Sequence, residues 1–396
     1  MIRPGRIAFV PGRFGADVIG GAEIVMRQLA GGFRERGWQV EVLTTCAVDH
    51  FTWQNVLPAG VTKEDGLTVH RFPTVVSTPG AERATLERAI LDGLPLTMNE
   101  QFRWLNDGMR VPELFHHLLD NGRDYDAVVL GPYMFWPAVA CSQILPERAV
   151  LWTCLHDEPF VYLDLFRPML SGVAGLLLQS PPEHGLLHRL VGHPARHELT
   201  GCGVEVPAGY DPDGFRARYG LDGRLLLYAG RREGAKGWDT LLEAFAAATV
   251  RRQLPFTLVT IGAGEVRPPA AVADRVVDLG FLPDAERDNA FAAAEAYLQP
   301  GAYEAFSRTI MEAWLAGTPV IATGASEVLR YHVTQTRAGL IYEDGYELEE
   351  CLAFLADHPE AGPVLAAPGR EYVLERYQWP AVLDRVEGAI RGWVGG

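Results

Sequence analysis

Short runs of consecutive apolar residues, rich in Val, Ile and Leu, alternate along this chain with segments whose apolar positions recur at helical spacing. The runs predict strands at Ile7–Val10, Val40–Thr44, Leu67–Arg71, Ala127–Leu130, Ala149–Thr153 and Gly175–Gln179. A second series is predicted at Leu225–Ala229, Thr257–Ile261, Val276–Leu279, Ala296–Gln299, Pro319–Ala322 and Gly339–Ile341. Helical patterns lie between them, among them Ala22–Arg36, Trp238–Ala248 and Arg308–Ala316. Strands that are apolar throughout are buried on both faces, and helical crossovers join strands that run parallel. The pattern therefore predicts an α/β protein. The strands are too many for one comfortable open sheet, so two doubly wound domains are expected, meeting near residues 200–207.

Composition narrows the class. At 48% hydrophobic and 21% charged residues over 396 positions, the chain is an ordinary core-forming one. Its net charge of −15, from 50 acidic against 35 basic residues, argues against a nucleic-acid partner, which calls for a basic face. The five cysteines, at 46, 141, 154, 202 and 351, include no C-x-x-C pair and read as reduced thiols of a cytoplasmic protein. Residues 1–6 lead into the first strand with no apolar signal region, which fits the same compartment. Residues 127–146 carry no charge, but Gly131-Pro132 and Pro137 interrupt them, so a strand, a turn and a buried helix are expected there. No transmembrane segment is expected; peripheral membrane contact stays open.

In open parallel sheets ligands bind beyond the carboxyl ends of the strands, so the residues that follow each strand carry the functional reading. After Leu225–Ala229 comes Gly230-Arg231-Arg232-Glu233-Gly234-Ala235-Lys236-Gly237, then a helix. A Walker A loop would need Gly at Ala235, and Ser or Thr at Gly237 to hold magnesium. What this loop offers is Arg231 and Lys236, two charges able to neutralise a diphosphate without a metal. Only two lysines, Lys63 and Lys236, stand against 33 arginines, so the choice of lysine here points to a compact ammonium. The competing reading is a solvated surface loop.

After Ala296–Gln299 the chain continues through Glu304, Ala305, Phe306, Ser307, Arg308 and Thr309 to Glu312. A helix is expected to open at Ser307, a favoured N-cap, with free amides that favour an anion. Glu304 lies in the loop before it. Glu312 lies inside the helix, where an acidic group can accept bonds from vicinal hydroxyls, as in ribose binding. In the N-terminal half Gly12, Gly15, Gly20 and Gly21 crowd the loop after the first strand, and the next helix opens with Glu23. That loop reads equally as an anion or sugar cradle and as a plain flexible turn. His156-Asp157 follows Ala149–Thr153, where a histidine is as readily structural as catalytic. His184 and His188 can share a helix face, but Pro194 breaks His193 and His197 out of that register and no cysteine completes a set. No metal site is therefore expected. Neither G-x-G-x-x-G, G-x-S-x-G nor H-E-x-x-H is present.

Taken in chain order, these pieces resemble the family-4 retaining glycosyltransferases of the GT-B fold, over nearly the whole chain. The resemblance rests on Gly20-Gly21-Ala22-Glu23, His156-Asp157, and Gly203-Val204-Glu205 where Asn-Gly-Val-Asp is more usual. It continues with Gly230-Arg231 and Lys236-Gly237, then Glu304 and Glu312 with seven residues between them, running into Ala316-Gly317-Thr318-Pro319-Val320-Ile321-Ala322, and ends with Gln378-Trp379. It implies two Rossmann-like parallel-sheet domains facing across a cleft. Residues 1–202 would bind the acceptor, residues 203–377 the nucleotide sugar, and a C-terminal helix over 378–396 would cross back to the first domain.

The same resemblance implies a metal-independent transfer from a nucleoside-diphosphate sugar, with no cofactor beyond that co-substrate. Arg231 and Lys236, with Gly230, would bind the diphosphate; Glu304 would contact hydroxyls of the transferred sugar. The segment Phe306, Ser307, Arg308 and Thr309 would cradle phosphate or sugar, and Glu312 would hold the ribose. His156 would bond the donor sugar near its reacting face, and Gly20 and Gly21 would line the diphosphate. Two positions depart from the pattern. The loop Thr323-Gly324-Ala325-Ser326 is short and lacks Pro-Glu, which leaves the role of Glu327 open, and Ser307 stands where Gly is common. A non-catalytic nucleotide-sugar-binding partner subunit and a GT-B epimerase are the alternatives; the doubled glutamate speaks against the second. A glycan, a lipid-linked glycan or a natural-product aglycone is compatible as acceptor. Phe51-Thr52-Trp53, within residues 49–73, offers aromatic rings that either stack on a sugar or pack a core.

Overall fold

The computed structural model describes residues 5–16, 18, 20–76 and 81–394. The chain folds into two compact units, one of residues 1–202 with 380–396 and one of residues 203–379. Of the glycine-rich N-terminal loop, Asp17 and Ile19 lie outside the described residues.

The first unit is built on strands β1 (Arg6–Pro11), β2 (Gln39–Thr45), β3 (Gly60–Glu64), β4 (Leu67–Phe72), β5 (Val75–Val76), β6 (Met109–Arg110), β7 (Ala127–Gly131), β8 (Ala149–Trp152), β9 (Gly175–Leu178) and β10 (His197–Leu199). Eight of them form one sheet in the order β10-β9-β8-β7-β1-β2-β4-β3, and β5 pairs with β6. All pairs in the large sheet are parallel except the edge hairpin β3–β4. Helices cover both faces because the central strands are apolar at every position: β7, β8 and β9 are buried throughout. β3 was not legible in the sequence. It is an exposed edge strand whose residues face solvent, so no apolar run marks it.

The uncharged stretch after residue 127 forms β7, a turn at Pro132, and the short buried helix Trp136–Cys141, as the interrupting prolines required. No helix among the described residues is long and apolar enough to cross a membrane.

The last helix, Trp379–Val394, buries Val382, Leu383, Val386 and Ile390 at helical spacing. From Pro380 onward it belongs to the first unit. Gly32, on helix Gly21–Glu35, lies so close beneath Leu383 that a Cβ there would meet its Cδ1 at 2.5 Å. Glu387 adds a bond from Trp38 Nε1 at 2.9 Å and an ion pair with Arg36 at 3.0 Å.

The second unit is one sheet of β11 (Arg224–Ala229), β12 (Phe256–Ile261), β13 (Val276–Asp278), β14 (Ala296–Gln299), β15 (Val320–Thr323) and β16 (Gly339–Tyr342). Its order is β13-β12-β11-β14-β15-β16, all parallel. Its core includes Leu226, Tyr228, Trp238, Phe245, Leu258 and Leu298, every one nearly or fully buried. In each unit the strand order reverses once, between β1 and β7 in the first and between β11 and β14 in the second. Such a switch point splays two successive loops apart at the carboxyl edge and leaves a crevice for a ligand.

Candidate active site

The second unit places its two marked loops on either side of its switch point, one after β11 and one after β14. The adjacent arginines of the first loop diverge. The Arg232 side chain is 1% exposed and pairs with Asp278. It also donates from Nε to Thr260 Oγ1 at 3.0 Å and from Nη1 to the carbonyl of Gly262 at 2.7 Å. It clips the loop to its neighbours. The Arg231 side chain is 41% exposed and pairs with Glu233 at 3.2 Å. The loop then makes a single tight turn, Gly234–Lys236. Gly237 follows at φ +70°, where a Cβ would lie 2.5 Å from the Pro300 carbonyl oxygen. Only glycine lets the chain pass the β14 loop here and enter helix Trp238–Arg252.

Lys236 Nζ donates to Glu304 Oε1 at 2.9 Å, joining the two loops across the switch point. The β14 loop is itself stitched by Gln299, whose Nε2 donates to Ser307 Oγ at 3.0 Å and Thr309 Oγ1 at 3.2 Å. Ser307 does sit at the N-cap of helix Arg308–Leu315, but its side chain does not cap it, contrary to the sequence expectation. Its backbone is left-handed (φ 63°), which turns the hydroxyl away from the helix and towards Gln299. The helix start is therefore not capped by a side chain. The left-handed backbone also explains why glycine suits this position.

Glu312 stands apart from this pair. Its carboxylate lies 3.4 Å from Arg308 Nη2 and 3.6 Å from Arg287 Nη2, and is almost wholly buried. Burial pushes the neighbouring Asp288 carboxyl up to about 6, with Glu312 adding to the rise and Arg287 opposing it. Glu327 opens helix Glu327–Thr336 as an exposed residue, with Ser326 Oγ accepting from the Leu329 amide at 3.3 Å.

In the first unit, His156 follows β8 on a turn that passes through Cys154 at φ 55°. His156 Nδ1 lies 3.4 Å from Glu158 Oε1, and Glu158 accepts from the Tyr133 hydroxyl at 3.3 Å. Burial acts to lower the His156 pKa, but the contacts with Cys154 and Glu158 outweigh it and raise the value. The turn is held from beneath by Glu183, which accepts from the Leu155 amide at 2.6 Å, from Thr153 Oγ1 at 2.7 Å and from the Gln179 amide. Burial pushes this carboxyl up to about 7, against the pull of those donors. Ser180 caps this helix, its Oγ accepting from the Glu183 amide at 3.3 Å, while the Glu183 carboxylate turns back to support the His156 turn.

At the first glycine-rich loop, Gly20 is the N-cap of helix Gly21–Glu35. Glu23 closes over it: a Cβ at Gly20 would meet Glu23 Oε2 at 2.1 Å, whereas Gly21 faces open space. Glu23 is held by Arg13 in a buried ion pair, a partner the sequence did not reveal. The aromatic pair separates: Trp53 is 8% exposed and packs edge-on against Phe135, while Phe51 is 68% exposed. His197, which Pro194 takes out of the helical register of His184 and His188, is brought to them by the fold.

Residues 223–358, within the second unit, match the family described as Glycosyl transferases group 1. The 2-deoxystreptamine glucosyltransferase of Streptomyces kanamyceticus is 32% identical over 195 residues, covering 43% of this chain and 50% of that one. The GDP-mannose-dependent alpha-mannosyltransferase of Mycolicibacterium smegmatis is 30% identical over 229 residues, covering 54% and 56%. A D-inositol 3-phosphate glycosyltransferase of Catenulispora acidiphila is 27% identical over 413 residues, covering 96% and 93%. The chain spans about half the length of the curated relatives it matches first. Among solved structures, sucrose-phosphate synthase from Thermosynechococcus elongatus superposes with TM-score 0.74 at 20% identity over 98% of both chains. Anabaena HepE in complex with UDP and glucose gives 0.67 at 18% identity over 98% of this chain and 100% of that one. The fold is GT-B.

Proposed function

We propose that this protein transfers a sugar, with retention at the anomeric carbon and without a metal, from a nucleoside-diphosphate sugar to a hydroxyl acceptor. The observation that carries the reading is the Lys236–Glu304 pair, 2.9 Å apart, between the two loops of a topological switch point. An incoming diphosphate competes with Glu304 for the ammonium. Lys236 and Arg231 then take the phosphate charge, and Glu304 is released towards the sugar hydroxyls. As the bond from the anomeric carbon to the diphosphate oxygen breaks, negative charge grows on that oxygen. Two cations and the amides of Phe306 to Thr309 stabilise it there. The sugar becomes oxocarbenium-like, and the departing phosphate takes the proton of the acceptor hydroxyl as it attacks from the same face. Glu312 holds the ribose. In the first unit, His156 serves the donor sugar, and Gly20 and Gly21 the diphosphate.

The relatives support this reading through their names, which describe transfer of glucose to 2-deoxystreptamine and of mannose from GDP-mannose. The structure of HepE, which holds UDP and glucose, adds to it. The test is calorimetric titration of UDP, GDP, dTDP and ADP with chelator present, with Lys236→Ala as control. Selective binding of one nucleotide, lost in the variant, is expected. Binding by none of the four, or binding only when a metal is restored, overturns the reading.

A further inference from the structure

Three histidines meet at the outer edge of the first unit. His184 and His188 lie one turn apart on helix Pro181–Leu190, and His197 opens the edge strand β10. His184 Nε2 is 3.1 Å from His197 Nε2 and 3.1 Å from His188 Nε2. One ligand nitrogen from each ring lies within 4.8 Å of the others. Pro194 does break the helical register, as the sequence indicated. The chain after it, however, returns as a strand beside β9, with His197 opposite Leu176, and tertiary structure supplies the third ring.

Protons alone do not satisfy this arrangement. His197 Nδ1 faces the Ala195 carbonyl at 3.0 Å, so its proton sits on Nδ1 and Nε2 offers a lone pair to the cluster. His184 Nε2 has a single in-plane position, holding either a proton or a lone pair, yet it has two imidazole nitrogens at hydrogen-bond distance. Whichever way it is protonated, it serves one of them. A cation that accepts a lone pair from each ring serves all three. Ligand nitrogens bound at 2.0–2.1 Å in a tetrahedron stand roughly 3.3 Å apart, close to the spacing found. The Ala195 carbonyl fixes the tautomer of His197 in the way an outer-shell partner orients a metal-bound imidazole.

We propose that His184, His188 and His197 bind one divalent transition-metal ion of the zinc type, with its fourth position open to water. All-imidazole ligation selects this class over magnesium or calcium, which take oxygen ligands. With two ligands on a helix and one on the edge strand, the ion pins helix Pro181–Leu190 to β10 and stabilises the first unit by mass action. These residues are distinct from those assigned to the donor, so the inference stands or falls independently of the proposed transfer.

The test uses the full chain, made without a histidine tag, stripped with chelator and titrated with Co²⁺ and then Zn²⁺. One equivalent of Co²⁺ is expected to give the visible absorption of a tetrahedral nitrogen-ligated site, and Zn²⁺ to abolish it. His188→Gln, at an exposed position, and His197→Gln should each weaken binding by about tenfold or more. His193→Gln, in the same stretch but outside the cluster, should leave it unchanged. Circular dichroism checks that each variant is folded. Absence of stoichiometric binding, or equal binding by the His188 and His197 variants, overturns the proposal.

Discussion

Lys236 and Glu304 are 68 residues apart in sequence and 2.9 Å apart in space, each supplying the other's counter-charge. The pair is partly buried, so its ammonium is held ready in one place, and a competing anion replaces a known partner.

Separate roles for the two partners predict separate losses. Lys236→Ala should weaken nucleoside-diphosphate binding by roughly ten- to a hundredfold, the scale of a charged hydrogen bond, with the fold unchanged by circular dichroism. Glu304→Ala frees the ammonium, so nucleotide affinity should hold or rise while kcat falls by about a hundredfold or more. Calorimetry with steady-state kinetics on both variants decides it; a Glu304 variant that loses nucleotide affinity and keeps its turnover would show the roles reversed.

Gly237→Ala should cost stability as well as function. Its φ of +70° is unfavourable for any residue with a side chain, and the added Cβ meets the Pro300 carbonyl oxygen at 2.5 Å. A loss of about 1–3 kcal/mol in urea unfolding is expected, with weaker nucleotide binding because Lys236 moves with the turn. A variant as stable as the parent would rule out the close approach.

His332 makes the second unit sensitive to acid. It is fully buried, and burial lowers its pKa from 6.5 to about 3. The unfolded chain therefore takes up a proton that the folded one refuses. The contribution is fully present above pH 6.5 and falls by about 1.4 kcal/mol per pH unit below it, until about pH 3. Urea unfolding of the parent at several pH values should contain this contribution on top of those of other titrating groups such as Glu183 and Asp288. His332→Phe should lack it, while Tyr372 keeps its bond to Tyr377 at 3.0 Å. Equal slopes in both proteins would refute the assignment.

Ile390→Ala tests the return of the last helix. Ile390 is fully buried in the first unit, and the truncation should cost it about 2–4 kcal/mol. Nucleotide binding to the second unit should persist at temperatures where the parent is folded. Thermal unfolding followed with and without nucleotide distinguishes the two.

How much of this was legible beforehand follows from range. Strands buried on both faces announce themselves as unbroken apolar runs, so β1, β7, β11 and β14 could be read directly. With them came the loops that matter, because a parallel sheet puts function at its carboxyl ends. The polar edge strand β3 carried no such run and was missed. The sequence singled out Arg231 in its loop, but not the structural task of its neighbour Arg232, which the carbonyls of the β12 loop and Asp278 take up.

The amino-acid sequence by itself determined the α/β class, the strand-end loops and the chemical character of Lys236, Glu304 and Glu312, since these depend on local pattern and residue type. Tertiary structure decided partnership: Lys236 with Glu304, Glu183 beneath the His156 turn, Arg13 with Glu23, and His197 with His184 and His188. The physical reason is that burial and strand order, set by the whole core, choose which distant polar groups are left facing one another.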